Sequence, residues 1–305
     1  MEGFIDTLNG VIWSNWLVYL CLGAGAYFTL VTLFLQVRCI PDMINQLKSG
    51  ESSEQGISSF QSLMMSLAGR VGVGNIAGVA TAIAFGGPGA VFWMWLVALL
   101  GSATSFVECC LAQIYKETDR DTGEYRGGPA YYIEKTYKHT AARPFMLVYA
   151  IIFAVCMLLA TSYFLPGIQA NGVAAAVDNA WGVNVWISAA VMAVLLGFII
   201  IGGVKRIATF ASMVVPFMAG IYIIIAIVVL FANASEIPSV FGTIFRSAFD
   251  KEAAFSGMLG AAIMWGVKRG IYSNEAGQGT GPQSAAAAEV SHPAKQGFVQ
   301  AFAVY

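Results

Sequence analysis

Gly69-Arg70-Val71-Gly72-Val73-Gly74-Asn75 interrupts an apolar run that extends from Phe60 to Gly86. The run is long enough to cross a bilayer, which takes about 20 residues of helix. Glycines at 69, 72 and 74 weaken that helix in its middle, each costing about 1 kcal/mol relative to alanine. In hydrocarbon, non-helical backbone survives only where protein or a water-filled cavity satisfies its polar groups. The stretch therefore reads as a discontinuous membrane helix whose freed N–H and C=O groups can take a small anion and a cation. Close packing through small residues (Gly74, Gly78) is the competing reading. Arg70 and Asn75 favour the break, because polar groups at this depth are expensive without a task.

Composition points the same way. Hydrophobic residues make up 58% and charged residues 11%, against about 45–50% and about 25% in soluble domains. Five cysteines, Cys21, Cys39, Cys109, Cys110 and Cys156, lie in or beside apolar segments without CxxC spacing. They read as small buried hydrophobes. The acidic start (Glu2, Asp6) has no basic region, so the first apolar stretch does not read as a cleavable signal.

Outward from the broken run, a first span is expected at Trp16–Val37, followed by a polar loop with Lys48, Glu51 and Glu54. Gly86-Gly87-Pro88-Gly89 closes the broken run in a turn. Ala90–Ala112 follows, with Phe92, Trp93 and Trp95 where an interfacial aromatic belt would lie. A charged loop, Gln113–Arg143, holds a short amphipathic helix opened by Gly128-Pro129. Further spans are expected at Phe145–Pro166, Val185–Gly203 and Ile207–Ala232. Val240–Phe249 has the pattern of an interfacial helix. A second glycine-broken run begins near Ser256, and Gln296–Tyr305 starts an eighth span.

With the first loop cytoplasmic and the spans alternating, 13 of the 16 Lys and Arg fall on the cytoplasmic side. Only Arg246 and Lys251 lie outside, and Arg70 lies in the membrane. The positive-inside rule then puts the N-terminus outside. The second broken run, from Gly266 to Pro282, repeats closely spaced glycines, a basic residue, an Asn and an Ala-Gly. It enters from the opposite face, so two interrupted segments in oppositely oriented halves suggest a transporter of inverted repeats.

Several stretches are longer than chance allows. Gly86-Gly87-Pro88-Gly89-Ala90-Val91-Phe92-Trp93-Met94-Trp95, ending at Leu99-Leu100-Gly101, closely resembles the signature of the alanine or glycine:cation (sodium) symporters. Val71–Ile83, Gly127-Gly128-Pro129-Ala130, Gln169-Ala170-Asn171, Arg269–Gly277 and His292-Pro293 before Gln296-Gly297 resemble the same family. The resemblance implies an all-α multi-pass membrane protein with a leucine-transporter-like five-plus-five inverted repeat behind one extra N-terminal helix. On that plan residues 1–59 carry the extra helix and a loop, and 60–232 the first repeat. Residues 233–255 form an external loop with an interfacial helix, and 256–305 the start of the second repeat. About seven full spans and the beginning of an eighth are expected, so the chain reads as a C-terminally truncated member.

The same resemblance implies uptake of a small neutral amino acid across a bacterial-type plasma membrane. Alanine, glycine and D-alanine all remain open, with sodium, or protons, as coupling ion and no organic cofactor. By matching Gly72-x-Gly74-Asn75, it puts the substrate carboxylate at the N–H groups of Val73 and Gly74, where a helix end stabilises an anion. The carbonyls of Ala68 and Val71 would face a sodium ion. Asn75 is either a second cation ligand or a brace of the break. Gln169 meets the substrate or bonds a neighbouring helix, and Trp265 with Gly266 walls the pocket or simply packs. Arg70 departs from the commoner pattern, in which Thr stands there. Its guanidinium cannot be neutralised, and three roles are open: a salt bridge to Glu108, a fixed charge replacing a transported cation, or a side chain reaching to the cytoplasmic vestibule.

Other classes fit less well. His139 and His292 both fall in loops, and HExxH and Cys/His ligand spacings are absent from the sequence, which disfavours an intramembrane enzyme. A channel is harder to separate by composition, although two broken helices suit an occluded site better than a pore. Basic surface with interleaved aromatics, as nucleic-acid binding needs, is not found.

Overall fold

The computed structural model describes residues 2–47, 53, 55–249 and 258–305, and it is almost entirely helical. The predicted loop residues Lys48, Glu51 and Glu54, Lys251, and the start of the second broken run at Ser256 lie outside the described residues. Five described helical stretches are long and apolar enough to cross a membrane: Thr7–Val31, Ser59–Gly86, Gly89–Ile114, Arg143–Trp181 and Gly203–Ala232. Val185–Ile200 is a shorter apolar helix.

The N-terminal stretch comprises α1 (Glu2–Ile12) and α2 (Asn15–Val31). The expected span to Val37 ends earlier, because Leu33 and Phe34 adopt left-handed backbone and turn the chain back. The turn is held by tertiary bonds that the sequence does not announce. Phe34 N–H donates to the Thr29 carbonyl at 2.8 Å, and buried Gln36 donates to Thr29 Oγ1 at 2.8 Å. Short helices α3 (Leu35–Arg38) and α4 (Ile40–Leu47) follow, and Met43 seals α4 against Ala103 and Ala301.

Ser58 starts α5 (Ser59–Arg70) with a reciprocal capping box: its Oγ accepts Gln61 N–H, and Gln61 Oε1 accepts Ser58 N–H. After Val71 and Gly72 the chain resumes as α6 (Val73–Gly86). The interruption therefore lies inside the stretch that predicted it. Gly87, at φ 75°, turns the chain into α7 (Gly89–Ile114). A two-residue hairpin (β1 Glu117–Thr118, β2 Tyr125–Arg126) leads to α8 (Pro129–Thr136).

The predicted span Phe145–Pro166 continues well beyond its expected end. After α9 (Arg143–Leu159) a π-helical turn, Ala160–Phe164, carries the helix through Pro166 into α10 (Leu165–Trp181). Proline lacks the N–H that an unbroken α-helix would use, and the wider turn accommodates that loss. The helix stops only at Gly182, in left-handed backbone. Next come α11 (Val185–Ile200), α12 (Gly203–Ala232) and α13 (Ile237–Phe249). The face of α13 read as interfacial instead meets α7: Phe92 packs on Phe249 with centroids 4.8 Å apart, and Ser247 Oγ accepts Gly89 N–H.

The second broken element consists of α14 (Met258–Asn274) and α15 (Thr280–Ala286), followed by α16 (Pro293–Phe302). Helix α14 packs against both α6 and α7, so the two interrupted elements are neighbours. Leu63 and Met64 of α5 bury against Val215 of α12 and Val299 of α16. At the end of the molecule that holds the charged loop, Ile57 pairs with the strand-like segment after α15. Ile57 N–H donates to Ala287 O at 3.0 Å, and Glu289 N–H to Ile57 O at 2.8 Å. Lys116 donates to Ala288 O at 2.8 Å, and Glu289 accepts from Ser53 Oγ and Tyr125 Oη. These bonds clasp the start of one broken element to the finish of the other. The Ser53 and Tyr125 hydroxyls and the Lys116 ammonium hold the Glu289 carboxyl below its usual range, while burial lowers Lys116.

Candidate functional site

Each break leaves backbone groups without helical partners, and the identity of what satisfies them defines the site. In the first break Val73 N–H donates to Gln169 Oε1 of α10 at 3.1 Å. Gly72 makes this approach feasible, since a Cβ there would lie 2.8 Å from Gln169 Oε1. At Gly74 a Cβ would lie 2.9 Å from the Tyr272 ring, so α6 and α14 touch across the break. Ser273 Oγ donates to Asn75 Oδ1, a second tie between the same two helices.

The second break is longer. Glu275, Gly277 and Gly279 all have positive φ, and Glu275 holds this geometry without being glycine. Asn274 Oδ1 accepts Ala276 N–H at 2.9 Å, and Gln278 donates to Ile271 O at 2.8 Å, restoring a bond lost at the helix end. Glu108 of α7 accepts Gly277 N–H at 3.1 Å.

A cavity of about 340 Å³ opens between the breaks. Of the residues singled out from sequence, Ala68, Arg70, Gly74 and Gln169 line it. Tyr272, Glu275 and Thr280 complete its polar wall. Val71 and Asn75 instead line a smaller cavity of about 270 Å³, together with Arg70, Ser273 and Asn274. Trp265 and Gly266 belong to neither. The Trp265 ring stacks on Phe85 at 4.9 Å, with the Arg269 guanidinium 5.5 Å from its centroid. Gly266 faces α7, where a Cβ would meet the Ala90 carbonyl at 2.6 Å. The packing alternative describes both residues.

Arg70 and Glu108 correct the expected direct salt bridge. Both are buried, 3% and 7% exposed, but each is drawn to a different partner. Arg70 donates to Gln300 O at 3.3 Å and to Ser105 Oγ at 3.4 Å, whereas Glu108 is held by Gly277. Burial also removes the reading in which Arg70 extends to an aqueous vestibule. The two charges remain near enough to interact, and Glu275 joins them. Glu275 is the residue that sequence reasoning passed over. It stood inside the Asn274-Glu275-Ala276-Gly277 motif, and the available signal was a carboxylate between glycines in an apolar run.

The model of the sodium:alanine symporter family matches residues 1–305. A putative sodium/proton-dependent alanine carrier of Bacillus subtilis is 56% identical over all of this chain and 61% of its own length. A sodium/alanine symporter of Methanococcus maripaludis is 42% identical over 97% of this chain and 65% of its own. A probable sodium/glutamine symporter of Bacillus subtilis is 45% identical over all of this chain and 62% of its own. The chain thus spans about three fifths of the length of the curated relatives it matches.

Proposed function

This chain belongs to the sodium:alanine symporter family, a family of transporters and not of enzymes, and from that premise we propose that it forms the substrate-binding part of a sodium-coupled carrier for a small neutral amino acid. The single observation that carries this reading is the Val73 amide at the first break, held by the side-chain carbonyl of Gln169. An amide carbonyl is a weak, neutral stand-in for a carboxylate, and a substrate carboxylate makes the stronger, charge-assisted bond. In this mechanism the amino acid displaces Gln169 Oε1 and takes the N–H groups of Val73 and Gly74. Gln169, freed, turns its amide to the substrate.

The coupling ion, sodium or a proton, accompanies it. The carbonyls of Ala68 and Val71 would face sodium, with Asn75 either as a further oxygen ligand or as the brace suggested by its bond from Ser273. The proposal keeps the five-plus-five inverted repeat, the plasma membrane and an external N-terminus. A reporter within Asp119–Tyr125 should accordingly read cytoplasmic and one near Asn179 external; the site after Gly50 lies outside the described residues. Alanine is favoured over glutamine because the alanine carrier is the more similar of the two relatives reported, at 56% against 45% identity.

The test is exchange of labelled alanine by the full-length protein in proteoliposomes, alone and with Gly72→Leu. Saturable, sodium-dependent exchange that the variant abolishes, with membrane insertion intact, supports the carrier. Non-saturating flux would indicate a channel instead, and normal exchange by the variant would remove the first break from the site.

A further inference from the structure

Three ionisable side chains meet between the two breaks, two carboxylates and one guanidinium. Arg70 does not bond either carboxylate: its Nη atoms reach Gln300 O and Ser105 Oγ, and its Nε has no hydrogen-bond partner among the described residues. Glu108 has its own donor, Gly277 N–H. Glu275 lines the 340 Å³ cavity and is bonded by one hydroxyl, Thr280 Oγ1, at 2.7 Å. On its far side it rests against the first broken helix, where a Cβ on Gly69 would lie 3.0 Å from Glu275 Oε1.

With both carboxylates ionised, the cluster carries one negative charge more than Arg70 can balance. An unbalanced charge in the membrane interior is strongly unfavourable. The other titratable groups nearby do not supply the missing positive charge. Cys109 lies beside Glu108 and Arg70 on α7, and Tyr132 faces Glu108 from α8. Tyr272 lines the cavity from α14, and Arg269 stacks over Trp265.

We propose that Glu275 is the group on which this cavity takes up one proton, the carboxylate oxygen accepting it from water and the resulting carboxylic acid entering the closed state neutral. A proton fits better than a metal cation here, because it sits covalently on the carboxyl oxygen and needs no oxygen cage beside the Arg70 guanidinium. The neutral acid can still accept the Thr280 hydrogen bond and donate one into the cavity. This rests on the carrier reading and assigns its proton dependence to one atom pair at the second break.

The test uses the full-length protein in proteoliposomes that report internal pH. Adding external alanine should acidify the lumen of wild-type vesicles. In Glu275→Gln, which keeps the shape and the Thr280 contact, the ratio of protons to alanine should fall to zero while the ratio of sodium to alanine is unchanged. A retained proton ratio, or loss of the sodium ratio in its place, overturns the proposal. Infrared difference spectra across a pH titration judge it without transport. A carboxylic-acid band should appear in wild type, vanish in Glu275→Gln and change its midpoint in Thr280→Val. A band that persists in Glu275→Gln, or a midpoint unmoved in Thr280→Val, also overturns it. Absence of alanine exchange by wild type, with the infrared band behaving as expected, would remove the carrier reading and leave the protonation site standing.

Discussion

The two breaks differ in length, charge and occupancy. The first is short, carries a cation at its edge in Arg70, and offers its amide to the neutral Gln169. The second runs over Glu275–Gly279, carries an anion in Glu275, and gives its Gly277 amide to the carboxylate of Glu108. A hydrogen bond to a charged acceptor is worth about 1.5–3 kcal/mol, against about 1 kcal/mol for a neutral one. The comparison therefore separates a permanent closure from an exchangeable one. The chain has fixed the second break to α7 and left the first free to trade its partner.

Glu108→Gln strikes the permanent side and should have the largest effect. It removes the charge on the Gly277 bond and part of the balance for Arg70, so folded protein should lose about 1.5–3 kcal/mol of stability. The fraction of monodisperse protein after heating in detergent measures this. Unchanged thermal stability would mean that the second break does not depend on Glu108.

Gln169→Ala sharpens the exchangeable side. If Gln169 chiefly occupies the Val73 amide, its removal frees a competitor bond of about 1 kcal/mol and tightens alanine binding about fivefold. Weaker binding would instead make Gln169 mainly a substrate contact. Equilibrium binding of labelled alanine distinguishes the two.

The smallest effect concerns the clasp that joins the two elements at Ile57 and Ala288. Glu289 has its carboxyl pKa depressed by hydroxyl bonds and Lys116. Its contribution is thus complete above the unfolded value of about 4.3 and is lost as pH falls through the lower folded value. Hydrogen exchange at the Ile57 and Glu289 amides should accelerate on that acid side and not between neutral pH and about 5. Exchange that is flat across the acid range would mean that the backbone pairing holds without the side chain.

Much of this was legible in the sequence, for identifiable reasons. Glycine beside Arg70 and Asn75 in an apolar run has few physical solutions, and the break fell there. Helix-length hydrophobic runs fixed α7 and α12 to within a few residues. The turn at Leu33 and Phe34 was not legible, because neither residue type favours left-handed backbone and Thr29 and Gln36 enforce it through space. Arg70 and Glu108 are neighbours as expected, but a pattern of charges cannot reveal that Gly277 would claim the carboxylate first. Trp265 beside Gly266 looked like a pocket wall because bulk and a gap adjoin; the gap is filled by the α7 backbone.

The π-helical turn at Ala160–Phe164 has a consequence for descent. A π turn is what a single inserted residue leaves when a helix absorbs it without unfolding. Every side chain beyond the insertion is rotated by about 100° relative to an uninterrupted helix. Gln169 lies just past that point. Its aim at the first break is therefore inherited from a length change elsewhere in the helix, and a relative without the extra residue would point the same glutamine at a different neighbour.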